Sequence, residues 1–194
     1  MARPRKFDEG EVLDRALRLF WDRGYEGTAL SDLLTEMQMT KSSLYKAFGS
    51  KEALFQRVAE RYDRVHLAFR REALEEETPR RIVEHLLMGM LDLHKGEETP
   101  PGCLNTNAAL ACSPESDAVR LQAAREREAF RLRLRDRLQA ASAAGPLPPG
   151  MDSESAAALV QTMIQGLAVQ AKSGANREEL ERVVKAFLAS WPAR

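Results

Sequence analysis

The stretch Leu30-Ser-Asp-Leu-Leu-Thr-Glu-Met-Gln-Met-Thr-Lys-Ser-Ser-Leu-Tyr-Lys-Ala-Phe-Gly49 reads as two short helices joined by a tight turn. Leu30, Leu33, Leu34 and Met37 recur at helical spacing on one face. Gln38 and Met39 then lead into Thr40, a side chain suited to cap a new helix. That helix is about eight residues long, Lys41 to Phe48, and Gly49 ends it. Leu44, Ala47 and Phe48 share its inward face, leaving Lys41, Ser42, Tyr45 and Lys46 outward. Two short helices with a three- to four-residue turn are the minimal helix-turn-helix, whose second helix fits the major groove of duplex DNA.

Working outward, Val12, Ala16, Leu19 and Phe20 stripe a preceding helix from about Glu9 to Arg23. Asp8 caps it, Phe7 and Val12 sit at staple positions, and Gly24 stops it. Thr28 is placed to cap the helix that begins near Leu30. Downstream, Ser50 opens a long connector helix to about Leu74, through Leu54, Val58, Tyr62, Val65 and Phe69. Thr78-Pro79 starts another helix, Gly96 to Gly102 is a loop, and Cys103 to Leu110 forms a short helix. Ser113-Pro114 opens a longer one through Val119, Phe130, Leu134 and Leu138, and Gly145 to Gly150 is a linker. Two well-bounded helices close the chain, Asp152 or Ser153 to about Ser173 and Arg177 to Trp191. No strand pattern survives, so the expected fold is all-α with about nine helices. Residues 1–50 form a helix-turn-helix unit and residues 51–194 a larger helical unit.

Lys plus Arg and Asp plus Glu each total 29 in 194 residues, so net charge gives no hint of partner and local charge must decide. Residues 1–61 contain 11 basic and 10 acidic side chains, yet no acid falls between Glu36 and Glu52, where Lys41, Lys46 and Lys51 lie. The face of the second short helix is therefore positive within a neutral unit. Arg3, Arg5 and Lys6 make a second basic cluster, suited to an arm that tracks phosphates or enters the minor groove. In such an interface Thr28, Tyr45, Lys46 and Lys51 set register on phosphates, while Lys41, Ser42 and Ser43, just after Thr40, meet base edges. Two cysteines are too few for a disulfide scaffold. Neither a signal peptide nor 18 consecutive apolar residues is present, so the expectation is a cytoplasmic protein without a membrane partner.

Gly24-Tyr-Glu-Gly-Thr28, Met39-Thr-Lys-Ser-Ser-Leu-Tyr-Lys-Ala-Phe48 and Gly49-Ser-Lys-Glu-Ala-Leu-Phe55 resemble the signature of the tetracycline-repressor (TetR) family over roughly residues 8–57. The resemblance implies phosphate contacts from Thr28, Tyr45 and Lys51. It also implies a homodimer paired through the last two helices as a four-helix bundle, and a small-molecule effector pocket between those helices and the middle ones. Gln38 departs from the glycine common in this turn and must take a left-handed or near-helical backbone. Pairing residues are then Leu159, Met163, Leu167, Val184, Phe187 and Trp191, with Gly166, Ala168 and Ala171 allowing close approach. Candidate pocket residues are Met88, Leu91, Cys103, Asn107, Phe130, Gln161 and Gln165.

Two of these carry open alternatives. Gly102-Cys-Leu-Asn-Thr-Asn107 resembles a segment of one branch of the family that includes cysteine-based sensors of electrophiles or oxidants. Cys103 is then either a thiolate near a helix N-terminus or a small packing residue. Gln161 and Gln165, one turn apart in an apolar helix, either orient a ligand or lie at the dimer seam. Cys112 reads as a core or helix-end residue, and its spacing from Cys103 does not decide pairing. His66, His85 and His94 lack metal-site spacing, and there is neither a phosphate-binding glycine loop nor a paired nucleophile and base, so neither a cofactor nor catalysis is expected.

Overall fold

A computed structural model describes residues 8–94, 99–108, the backbone of 109 and 110, residue 113 and residues 116–192. Arg3, Arg5, Lys6, Phe7, Gly96, Cys112 and Pro114 lie outside these residues. Among the described residues every regular element is a helix, and there are ten: α1 (Glu9–Arg23), α2 (Leu30–Glu36), α3 (Lys41–Phe48), α4 (Lys51–Val65), α5 (Ala68–Ala73), α6 (Pro79–Leu93), α7 (Leu104–Leu110), α8 (Asp117–Ala141), α9 (Ser153–Lys172) and α10 (Arg177–Ala189). None is long and apolar enough to cross a membrane.

The sequence-predicted starts are met by side-chain caps. Asp8 accepts from the Gly10 and Glu11 amides, Thr40 from Ser43, Ser50 from Ala53, Thr78 from Arg81 and Asp152 from Ser155. Asn176 and Glu179 form a reciprocal capping box at 3.0 and 2.9 Å. α2 is a correction: Ala29 occupies its N-cap without a side-chain bond. Thr28 instead turns its hydroxyl back on α1, donating to the Gly24 carbonyl at 2.7 Å and lying near that of Leu19 at 3.3 Å.

The tenth helix arises because the connector is broken. A continuous helix keeping Tyr62 inward would bury Val65, yet Val65 is 50% exposed and Leu67 is fully buried. The apolar stripe jumps five positions from Tyr62 to Leu67, and the Leu67 amide reaches five residues back to the Tyr62 carbonyl at 3.2 Å. Beyond the break, Phe69 lies against the backbone of α6 at Gly89, where an added Cβ would fall 2.2 Å from the ring. The side chain absent at Gly89 is what lets α5 dock.

One continuous hydrophobic cluster runs from α1 to α10, with Trp21, Tyr62, Phe20 and Phe55 among its fully buried members. Phe20 and Phe55 meet edge-on at 5.1 Å, which fixes α1 across α4. Arg61 adds a two-pronged ion pair to Asp14 at 2.5 and 2.6 Å. α8 packs along α9, while α10 lies against both α6 and α9. Arg80 holds the end of α10 through the Leu188 and Trp191 carbonyls, each at 2.6 Å.

Both ring nitrogens of His94, just past α6, are buried without a hydrogen-bond partner, and burial pushes its pKa down to about 4. Between about pH 6.5 and 4 the unfolded chain therefore binds a proton that the folded chain refuses. Stability is full above that window and is lost as pH falls through it. Urea unfolding at pH 7 and pH 4.5 should show His94→Phe losing about 1–3 kcal/mol less than wild type between the two.

Candidate nucleic-acid interface and an internal cavity

α3 is fixed by its ends and by one row of side chains. Thr40 accepts from the Ser43 amide at 3.2 Å and its hydroxyl meets those of Ser43 and Ser42 at 2.9 and 3.1 Å, so all three hydroxyls are preset at the helix start. Gln38 takes φ +52, the only positive φ of a non-glycine among the described residues, at a cost of roughly 1–2 kcal/mol. Leu44 and Phe48, one turn apart, are the buried row. Ala47, expected inside, is exposed: it lies about 60° off that row on a helix touching the core along one ridge. Lys41 and Tyr45 form the parallel outer row, the ammonium 6.0 Å from the ring centre. Ser42, Ser43 and Lys46 stand exposed beside them.

Lys51, in the first turn of α4, is half-buried and bonds the Tyr25 carbonyl at 2.8 Å while its ammonium sits 4.3 Å over the Tyr25 ring. Burial draws its pKa below the ordinary lysine range, opposed by the Glu26 carboxylate. It thus ties α4 to the turn after α1 and retains donors for an anion at the helix N-terminus. Thr28 is fully buried, so its side chain is not at the surface that bears Lys41 and Tyr45.

Behind this head lies a cavity of about 300 Å³ walled by α4, α5, α7, α8 and α9. Cys103, Asn105 and Thr106 make one wall, Phe130 and Glu126 another, Gln161, Ile164 and Gln165 a third, and Arg70 enters from α5. The Arg70 guanidinium stacks 4.7 Å from the Phe130 ring centre, with its Nε buried and unpartnered. The Gln161 Oε1 is likewise buried and unpartnered. Burial raises the Glu126 pKa above the usual carboxylate range, opposed by a hydrogen bond from Gln122 at 3.1 Å.

A family model described as bacterial regulatory proteins of the tetR family matches residues 12–58, and one described as tetracyclin repressor-like, C-terminal domain, matches residues 79–187. The HTH-type transcriptional repressor ComR of Escherichia coli (strain K12) is 33% identical over 98% of this chain and 91% of its own length. A cysteine mutant of the TetR family transcriptional regulator CifR, solved with a 26-base-pair double-strand operator DNA, is 40% identical, covers 98% of this chain and 100% of its own, and superposes with a TM-score of 0.91. The chain belongs to the TetR family. It is a helix-turn-helix transcriptional regulator.

As a TetR-family fold it brings together some of the sequence-predicted residues and separates others. Cys103, Phe130, Gln161 and Gln165 all line the cavity, so both glutamines face inward. Met88 instead lines a wider groove of about 680 Å³ between α5 and α6. Leu91 is core, and Asn107 donates to the Trp21 carbonyl at 3.2 Å. Of the proposed pairing residues, Leu167, Val184 and Trp191 are buried within the single chain. The broad stripes of α9 and α10 bury those three inside; Leu159 is exposed, and Met163 and Phe187 are half-buried. Val169 and Val183, 41% and 47% exposed, share the outer surface. Ala168 and Ala171 also face the core, whereas Gly166 is exposed. Sequence reasoning missed Arg70 and Glu126, because each sits in a charged run that reads as solvated surface. Phe130, one turn after Glu126 on α8, was the only local cue, and nothing in the sequence brings Arg70 of α5 beside it.

The head and the cavity wall are clasped at the end of α1. The Trp21 indole N–H donates to the Gly102 carbonyl at 2.7 Å, Lys172 reaches the Asp22 carbonyl at 2.5 Å, and Glu26 accepts from the Ser113 amide and hydroxyl at 3.0 and 2.9 Å. Cys103 follows Gly102 directly, just ahead of α7 rather than within its first turn. Trp21→Phe keeps an aromatic ring but orphans the buried carbonyl, so urea denaturation should show a loss of about 1–3 kcal/mol.

Proposed function

We propose that the chain is a cytoplasmic repressor that binds a near-palindromic operator as a homodimer and releases it when a small molecule fills the cavity. Residues 1–50 read the DNA and residues 51–194 pair and sense. The observation that carries this reading is α3: a capped, two-turn helix pinned by Leu44 and Phe48 whose outer side bears Lys41, Ser42, Ser43, Tyr45 and Lys46. Tyr45, Lys46 and Lys51 take phosphates and Lys41, Ser42 and Ser43 take base edges, with Thr40 setting their position and Arg5 and Lys6 on the arm. The operator-bound relative, similar along nearly the whole chain, supports the DNA partner.

Pairing uses the outer side of α9 and α10, Leu159, Met163, Gly166, Val169, Val183 and Phe187, where an added Cβ at Gly166 meets nothing within 4 Å. Signal reaches the head because the cavity wall begins at Cys103, one residue from the Trp21 clasp, and because α4 and α5 flank the same cavity. Release follows when the ligand binds the non-DNA state more tightly than the DNA-bound one.

Selection from a random duplex library should enrich a near-palindromic site. Affinity for it should fall steeply with salt, and Tyr45→Ala with Lys46→Ala should weaken binding and reduce the log–log slope by about one per lost lysine–phosphate contact, the tyrosine weakening binding without changing the slope. Failure to enrich any sequence would overturn the regulator reading. Leu159→Glu with Val183→Glu should convert the dimer to monomer in sedimentation velocity and weaken operator binding with it.

A second reading has its own observation: Cys103 is a free thiol on the cavity wall. An electrophile small enough to enter would alkylate it beside the clasp. Cys103→Ser that still releases operator with such a reagent would remove this reading.

A further inference from the structure

The cavity is lined by opposite charges that do not neutralise each other. Arg70 and Glu126 face the same space, and the Arg70 charge is felt at Glu126, yet among the described residues neither is in an ion pair. Elsewhere on α8 charge is spent differently: Arg120 pairs with Asp117 at 2.7 Å, Arg131 with Glu128 at 2.7 Å and Arg135 with Asp136 at 2.7 Å. Both side chains are half-buried, and a charge drawn part-way out of water ordinarily finds a partner, because it loses hydration without return. Gln161, 7% exposed, adds an acceptor with nothing to accept from, and Arg70 Nε a donor with nothing to donate to. The lining thus offers a cationic donor, a carboxylate and an amide acceptor next to the apolar surfaces of Phe130 and Ile164. The other charged lining groups balance in the same way, Glu60 and Asp63 against Arg127 and Arg133, so neither sign of net charge is favoured.

We propose that the effector is a small zwitterion of the α-amino-acid class: its carboxylate meets Arg70, its ammonium meets Glu126 and the Gln161 Oε1, and its apolar side chain lies against Phe130 and Ile164. This rests on the reading of the cavity as the effector site. A zwitterion supplies an acceptor to Arg70, a donor to the Gln161 Oε1 and a cationic partner to Glu126, whose hydrogen bond comes from the neutral Gln122, and it leaves the net charge of the cavity unchanged. A simple acid leaves Gln161 without a donor and Glu126 without a cation, and a simple amine leaves Arg70 without an acceptor. The cavity, about 300 Å³, limits the side chain to modest size.

The test is a thermal-shift screen of glycine and the nineteen common L-amino acids on the purified chain. Calorimetry then follows on the best one, on its decarboxylated amine and on its deaminated acid. The zwitterion should bind, and each singly charged analogue should bind about 10-fold or more weakly. Arg70→Gln should remove the advantage of the amino acid over the amine, and Glu126→Gln its advantage over the acid. If either variant fails to fold, the wild-type comparison of the three compounds still decides. Absence of binding by every amino acid, or equal binding by the amine or the acid, overturns the assignment. An operator-release assay separates the two readings. Amino-acid binding without release keeps the ligand class and removes the effector role, whereas release by an unrelated compound that fills the cavity keeps the effector site and removes the zwitterion.

Discussion

A buried indole has to place its N–H, and in this chain that requirement joins the DNA-reading head to the rest of the molecule. Trp21 is 1% exposed, packed edge-on against Tyr62 at 4.8 Å and His66 at 5.0 Å, and its donor goes to Gly102. The acceptor is available because Gly102 takes φ +88, a backbone that turns its carbonyl inward and that a side chain would strain. The end of α1 is therefore held by the loop that leads into the cavity wall. The head cannot be described as an independent unit on a flexible tether, since α1 and α4 belong to the same core as α6 to α10.

That arrangement suits a helix whose position has to be exact in space but biasable. α3 contributes only Leu44 and Phe48 to the core, so its placement is inherited from α4 through Ser50 and Lys51 and from α1 through the Tyr25 turn. A joint shift of α1 and α4, which Phe20–Phe55 and Asp14–Arg61 hold together, carries the outer row Lys41–Tyr45 with it. The break at His66–Leu67 helps here. It lets α4 stay with α1 while α5 docks on α6, so motion of one need not drag the other through a rigid rod.

The caps were legible because capping is local chemistry: Asp8, Thr40, Ser50, Thr78, Asp152 and Asn176 each bond within three residues of themselves. The connector break was not, because the pattern Val58, Tyr62, Val65, Phe69 fits an unbroken helix, and only the tertiary demand to bury Leu67 shifts the phase. Thr28 misled for a related reason. Its spacing suits an N-cap, but its hydroxyl finds two carbonyls at the end of α1 that the sequence does not show to be near. Of the site, the face of α3 was readable from periodicity and charge; Cys103, Phe130 and both glutamines were candidates only through the family resemblance, with the roles of Cys103 and the glutamines left open. Which of Leu159, Leu167, Val184 and Trp191 faced out was not readable, since both helices carry stripes wide enough for two neighbours. Arg70 and Glu126 escaped because a charged residue in a charged helix reads as surface unless the packing on the other side is known.

The distribution of satisfied and unsatisfied groups follows from what each region has to do. Around the periphery arginines are used up on helix ends: Arg137 on the Leu74 and Glu76 carbonyls, Arg177 on Leu91 and Asp92, Arg80 on the end of α10. Such bonds serve carbonyls that a helix terminus leaves without partners and fix the angles between helices. In the cavity the same residue types stand next to acceptors and acids without closing on them. A protein selected only for stability would pair Arg70 with Glu126 or replace both with apolar side chains, since either change relieves desolvation. Keeping them apart around an open volume suits a third molecule that completes the set, and with the effector proposed above the destabilising feature and the sensing feature would be the same residues.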